Sequence, residues 1–141
     1  MSPTSLAIIA ALLWGAAALF DKLGLRAISP GLGFSVRSLV IGGVMLVVFL
    51  ASGQTKQIAD AKPLAIVYMV LSAVCAGLVG QFLYFAALKR GEASTIVPIA
   101  GSYPLVAAIL GIIVLSEELT WFKALGAILV VSGVVLLKWQ R

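Results

Sequence analysis

Histidine is absent from this 141-residue sequence, and cysteine occurs once, at Cys75. These two residue types supply many of the general bases, nucleophiles and metal ligands of enzymes. The acidic residues number only five, and no two of them form a pair at the middle of an apolar run. We therefore expect no catalytic residue, no metal site and no cofactor, and we predict that the chain is not an enzyme.

Charge is also scarce. Charged residues make up 11% of the chain, whereas soluble domains carry roughly 25%. Hydrophobic residues make up 62%, and the mean hydropathy is +1.18. The ten basic residues exceed the acidic ones but stand singly or in pairs at the ends of apolar runs, which is typical of membrane topology signals. These features exclude a soluble globular domain, and we expect no nucleic-acid partner.

The apolar residues form five long runs, each close to the roughly 20 residues that a helix needs to cross a bilayer. The sequence therefore predicts an all-α integral membrane protein, a bundle of five transmembrane helices with membrane lipid as its surroundings. The predicted helices cover residues 4–25, 32–51, 64–88, 94–115 and 121–137.

Basic residues are distributed unevenly between the two sides of this bundle. One side carries seven of them, namely Lys22, Arg26, Arg37, Lys89, Arg90, Lys138 and Arg141. The other side carries Lys56, Lys62 and Lys123. Because cytoplasmic loops are enriched in Lys and Arg, this bias predicts an external N-terminus and a cytoplasmic C-terminus.

Two prolines, Pro98 and Pro104, interrupt the fourth run, with Ser102 and Tyr103 between them. A proline inside a helix leaves a backbone carbonyl without its usual N–H partner, which is costly against lipid. The pattern therefore favours a helix that faces protein or a water-filled cavity, and we predict that these four residues line a substrate pathway. The alternative is that the prolines only kink a packed helix.

The third helix offers two further candidates. Gly77, Gln81, Tyr84 and Leu88 share one of its faces at helical spacing. Gln81 and Tyr84 either line the pathway or form hydrogen bonds between helices, and the sequence does not separate these roles. Trp14 lies near the middle of the first helix, where it either fills space or stacks on substrate.

Charged residues near the ends of the first two helices form a third group. Asp21, Lys22 and Arg37 are predicted to converge on the same side of the membrane. Lys22 and Arg37 are then topology anchors, partners of Asp21, or ligands that favour an anionic or zwitterionic solute. An ionisable residue within a span is a functional candidate by default.

Several segments together resemble a known family: Trp14-Gly15 and Lys22 in the first helix, Arg37 in the second, QFLYFAALKRGEAS over 81–94, YPLVAAILGIIVLSEELT over 103–120, and LGAILVVSGVVLL over 125–137. They are similar to the EamA domain of the drug/metabolite transporter superfamily. The resemblance covers residues 1–141 once, as a single domain. Most members of the superfamily carry two such domains, inserted in opposite directions.

The resemblance implies one half of an inverted-repeat transporter. It implies a homodimer, or a heterodimer with a related five-helix protein, that moves a small metabolite or drug-like solute across the plasma (bacterial inner) membrane by alternating access. The alternative is a non-catalytic membrane subunit or a lipid-carrier flippase component. In the related small multidrug resistance proteins a carboxylate in the first helix couples transport to protons. That coupling is not expected here, because Trp14 lies at mid-helix and Asp21 near the helix end.

Overall fold

The computed structural model describes residues 1–139 and is built from helices. Arg141, which contributed to the predicted orientation, lies outside these residues. The α-helices are α1 (Pro3–Ala27), α2 (Pro30–Ala51), α3 (Thr55–Asp60), α4 (Pro63–Ser72), α5 (Gln81–Arg90), α6 (Ala93–Ala100), α7 (Tyr103–Leu115) and α8 (Trp121–Trp139). A π-helical segment, Ala73–Gly80, joins α4 to α5.

Four stretches within the described residues are long and apolar enough to cross a bilayer: Pro3–Ala27, Pro30–Ala51, Pro63–Arg90 and Ala93–Leu115. A fifth apolar stretch, Trp121–Leu137, is shorter. The predicted class, an all-α membrane protein, is confirmed. The short helix α3 was not predicted, because it lies in the polar loop between the second and third spans.

The first two helices begin with the same serine–proline signal. Ser2 and Ser29 each precede a proline, and their hydroxyls accept hydrogen bonds from the backbone N–H three residues later, at 3.1 and 3.2 Å. A serine N-cap satisfies an otherwise unpaired donor, and proline at the first helical position loses no bond. As a result α2 begins at Pro30, two residues before the predicted start, and only a short link separates it from the end of α1.

The described chain forms two compact units, of which the first is Met1–Arg90 and the second begins at Gly91. In the first unit the buried side chains are Ala18, Leu25, Phe85 and Leu88. They cluster where α1 ends, α2 begins and α5 ends, and we call this region the closed end. The prediction of a single domain over residues 1–141 stays a prediction.

Close approach of α2 to the other two helices depends on Gly33. A Cβ atom at this position would lie 3.2 Å from Cδ2 of Leu25 and 3.6 Å from Cδ2 of Phe85. The missing side chain therefore lets the backbone of α2 pack directly on the two buried residues. Close packing of this kind is a main source of helix association in membranes.

The π-helical segment changes the register of the third span. A π turn adds a residue relative to an α turn, and one residue corresponds to about 100° of rotation. Gly77 lies in this segment and is exposed, whereas Gln81, Tyr84 and Leu88 lie beyond it in α5 and are half-buried or buried. Gly77 therefore does not share the packed face of α5 that carries the other three.

Replacing Gly80 with alanine should disturb this segment. A Cβ atom at Gly80 would lie 2.8 Å from the carbonyl oxygen of Cys75, which is too close for either atom to remain in place. We expect Gly80→Ala to lower the free energy of unfolding by about 1–3 kcal/mol, measured by denaturant titration in detergent micelles. Gly77→Ala is the control, because no atom lies within 4 Å of that position. Equal stability of the two variants would contradict the prediction.

The second unit contains α6, α7 and α8. The predicted fourth helix is interrupted at Gly101 and Ser102, which form a turn between α6 and α7. Pro98 lies inside α6, whereas Pro104 lies in the first turn of α7, where its missing N–H costs no helical bond. The interruption therefore accommodates the second proline without leaving a carbonyl of α7 unpaired.

Candidate substrate pathway

An ion pair lies inside the closed end. Nη1 of Arg37 donates to Oδ2 of Asp21 at 2.8 Å, and the two side chains are 33% and 16% exposed. Asp21 lies six residues before the end of α1 and Arg37 seven residues after the start of α2, so both are roughly 10 Å from a helix end at 1.5 Å per residue. The guanidinium of Arg37 also lies 5.7 Å from the ring centroid of Phe85. Arg37 thus connects α1, α2 and α5.

Two lysines connect α1 and α5 in a reciprocal manner. Nζ of Lys22, on α1, donates to the carbonyl oxygen of Leu88 near the end of α5 at 2.7 Å. Nζ of Lys89, on α5, donates to the carbonyl oxygens of Leu25, Arg26 and Ile28 at the end of α1. The last carbonyls of a helix lack partners within the helix and carry partial negative charge. Each lysine therefore caps the C-terminus of the other helix, and we call this arrangement the lysine exchange.

Gln81 and Tyr84 lie on α5 beside the closed end, and both are half-buried. Within the described part of the chain, neither side chain has a hydrogen-bond partner. The ring of Tyr84 lies 6.0 Å from that of Phe85, and Tyr84 is within electrostatic range of Asp21 and Arg37. Both polar groups are therefore available to a solute or to water.

Trp14 lies on the face of α1 that leads to the closed end. It precedes Ala18, Asp21 and Leu25 by four, seven and eleven residues, a spacing that places all four on one side of the helix. Its side chain is 62% exposed, whereas Ala18 is 6% exposed. Trp14 is therefore not a core residue of the first unit, and its role in a pathway stays a prediction.

The other four predicted residues belong to the second unit. Pro98, Tyr103 and Pro104 are exposed, and Tyr103 is 57% exposed. The hydroxyl of Ser102 donates to the carbonyl oxygen of Ile99 at 2.7 Å, so it closes the turn between α6 and α7. The predicted pathway residues thus form two groups, one in each unit, and their common role in a pathway stays a prediction.

An apolar groove runs between α7 and α8 within the second unit. Its volume is about 510 Å³, and Leu105, Ile109 and Ile112 of α7 face Ala124 and Ile128 of α8 across it. Its lining is mostly aliphatic, with Lys123 and Ser132 as its polar members. Across the described residues no three His, Cys, Asp or Glu side chains come together as a metal site would require.

Sequence reasoning did not identify the roles of Phe85, Leu88 and Lys89. Regular spacing places Leu88 on the face of Gln81 and Tyr84 but does not show that it is buried. Phe85 looks like an ordinary lipid-facing residue, and Lys89 looks like a topology anchor at a helix end. A signal was present in the spacing, because Gln81, Phe85 and Leu88 recur at helical intervals and Lys89 follows directly. Nothing in the spacing shows which helix such a face contacts.

Comparisons with known proteins identify the family of the chain. The EamA-like transporter family model matches residues 1–139. A Sinorhizobium protein named as an uncharacterized transporter in the cobO 3′ region is 28% identical over 131 residues, which are 93% of this chain and 92% of that one. An uncharacterized protein of Methanocaldococcus jannaschii is 32% identical over 98 residues, 70% of this chain and 69% of that one. No solved structure matches. Because the match spans nearly the whole of a multi-helix membrane protein, the chain belongs to the EamA-like transporter family.

Proposed function

We propose that this chain is one half of a secondary transporter that moves a small metabolite or drug-like solute by alternating access. The observation that carries the proposal is the Asp21–Arg37 ion pair, which lies within the spans of a transporter-family chain. Charged side chains are costly inside a membrane and usually mark a solute or ion path. Tyr84, whose ring lies 6.0 Å from that of Phe85, supplies a polar aromatic group on α5. Gln81 lies one turn before Phe85 on the same helix, and Trp14 lies two turns before Asp21 on α1.

The small number of buried residues supports a dimer. Besides the four buried residues of the first unit, Gly111 is the buried residue of the second unit within the described chain. In transporters built from inverted repeats, the solute site lies at the interface between the repeats. A second copy of this chain, or a related five-helix protein, would supply the other half. The bias of basic residues supports insertion in the plasma membrane with the C-terminus in the cytoplasm.

The proposal can be tested without knowing the solute. Liposomes that contain the purified protein are loaded with the small-molecule fraction of a cell extract, and the released compounds are identified by mass spectrometry. We expect release of one chemical class of solute from these liposomes and none from empty ones. No selective release from a protein that is inserted and dimeric would overturn the proposal.

The same assay tests the role of Gln81 and Tyr84. If these groups contact the solute, Gln81→Leu with Tyr84→Phe should slow release about ten-fold, which corresponds to the loss of roughly 1.4 kcal/mol of interaction. Stability should change by less than about 1 kcal/mol, since neither side chain has a hydrogen-bond partner in the described part of the chain and even a hydrogen bond between membrane helices averages only about 0.6 kcal/mol. Leu83→Ala, on an exposed position of α5, is the control. An unchanged release rate would contradict the assignment.

The second candidate function is that of a lipid-carrier flippase component, and the apolar groove between α7 and α8 favours it. A groove lined by aliphatic side chains suits a lipid tail better than a polar solute. The liposome assay separates the two functions. Transfer of a fluorescent lipid between leaflets, without release of water-soluble compounds, would favour the flippase component.

A further inference from the structure

The two ends of the first unit differ in how tightly they are packed. Every buried side chain of this unit lies in the closed end, and Phe34 packs on Phe82 there at a centroid distance of 6.1 Å. Within the described residues, none of 1–17, 38–55 or 57–72 is buried. The helices of the first unit are therefore fastened at one end and lie apart at the other.

The lysine exchange is the outermost layer of the closed end. Lys22 and Lys89 each span from one helix to the terminal carbonyls of the other. Hydrogen bonds from an ammonium group to unpaired carbonyls are stronger than those between neutral groups. They are also reversible, because water can replace each partner when the helix ends separate. Such hydrogen bonds suit a contact between two helices that must open and close.

The ion pair lies one layer deeper. Arg37 bonds to Asp21 and covers Phe85, so it is held between the same helices that the lysines join. Separation of α1 from α5 would break the lysine contacts and expose Asp21 and Arg37 to water.

We propose that the lysine exchange is a gate, in which Lys22 and Lys89 are positioning residues that close one membrane face of the first unit over the Asp21–Arg37 pair. This inference rests on the proposed transport function and adds to it the residues that control access. In the described state the gate is shut. Its opening, coupled to closure at the other face, would expose the ion pair to the side that carries most of the basic residues.

The first test measures access to the region behind the gate. Ala18, which is 6% exposed, is replaced by cysteine in a Cys75→Ala background, and its rate of labelling by a water-soluble maleimide is measured in membranes. Lys22→Met with Lys89→Met should raise this rate at least about ten-fold, because each lost charge-assisted bond shifts the equilibrium towards the open state.

The matched control is Arg26→Met with Arg90→Met. It removes the same number of charges from the same helix ends, and within the described chain neither guanidinium has a hydrogen bond or ion pair. Its labelling rate should equal that of the parent. Equal rates in the lysine and arginine variants would overturn the gate, whatever the protein transports.

A second variant tests whether a covalent link between α1 and α5 closes the gate. In Arg26→Cys with Lys89→Cys, a short reagent that bridges two thiols should restore the contact between α1 and α5 and stop solute release, and cleaving the bridge should restore release. Release that continues in the bridged protein would overturn the gate and leave the transport function intact. If the unbridged and parent proteins release nothing, the transport function fails, and the labelling rates still decide on the gate.

Discussion

Arg37→Met should abolish solute release and lower the free energy of unfolding by about 2–3 kcal/mol, less than the loss of one partner of a fully buried ion pair would cost, because the Asp21–Arg37 pair is only partly buried. The carboxylate of Asp21 is 16% exposed, and its ion-pair partner within the described chain is Arg37. The variant leaves that charge uncompensated within a membrane span. It also removes the cation that lies over the ring of Phe85. Stability is measured by denaturant titration in micelles, and release is measured in liposomes.

Two further variants serve as controls for this result. Asp21→Asn with Arg37→Gln replaces the ion pair with neutral groups that can still hydrogen-bond, so it should recover most of the stability while transport stays lost. Arg90→Met removes an exposed arginine of α5 and should change neither quantity. If Arg37→Met proves as stable as Arg90→Met, the ion pair is not a structural contact in the membrane.

Much of this site follows from the sequence. The lengths of the first two helices predict that Asp21, Lys22 and Arg37 reach the same membrane side, and in the structure Arg37 pairs with Asp21. This works because the rise per residue of a helix is fixed, so a charge's position in the sequence gives its depth. The same fixed rise converts the length of each apolar run into a distance across the bilayer, and so predicts the helical membrane class.

Other features do not follow from the sequence, because they depend on which helix faces which. Lys89 has the sequence signature of a topology anchor, and only its distances to carbonyls of α1 show that it joins two helices. The π-helical segment shifts Gly77 off the face that regular spacing predicts. The turn at Gly101 and Ser102 depends on local bonds from the backbone N–H and the hydroxyl of Ser102 to the carbonyl oxygen of Ile99, at 3.2 and 2.7 Å. Prolines predict that a helix is interrupted nearby, but not at which residue.

Phe85→Ala should cost about 3–5 kcal/mol of stability, as large-to-small changes at buried phenylalanines do. Phe85 is 2% exposed, and its ring centroid lies 5.7 Å from the guanidinium of Arg37. Its Cδ2 atom packs against α2 at Gly33, 3.6 Å from where a Cβ atom of that residue would lie. Lipid is as apolar as the protein interior, so the loss comes chiefly from the cavity and from the missing ring beneath the guanidinium. Thermal unfolding in micelles gives the stability change.

Phe20→Ala is the matched control, because Phe20 is an exposed phenylalanine of the same unit, at 69%. If lipid covers Phe20, its truncation should cost less than about 1 kcal/mol. A large cost only in the dimeric protein would instead place Phe20 against the partner half. A small cost at Phe85 would show that the closed end is not packed in the membrane. Because the gate closes over this same packed end, Phe85→Ala should also raise the labelling rate of Ala18→Cys, whereas Phe20→Ala should not.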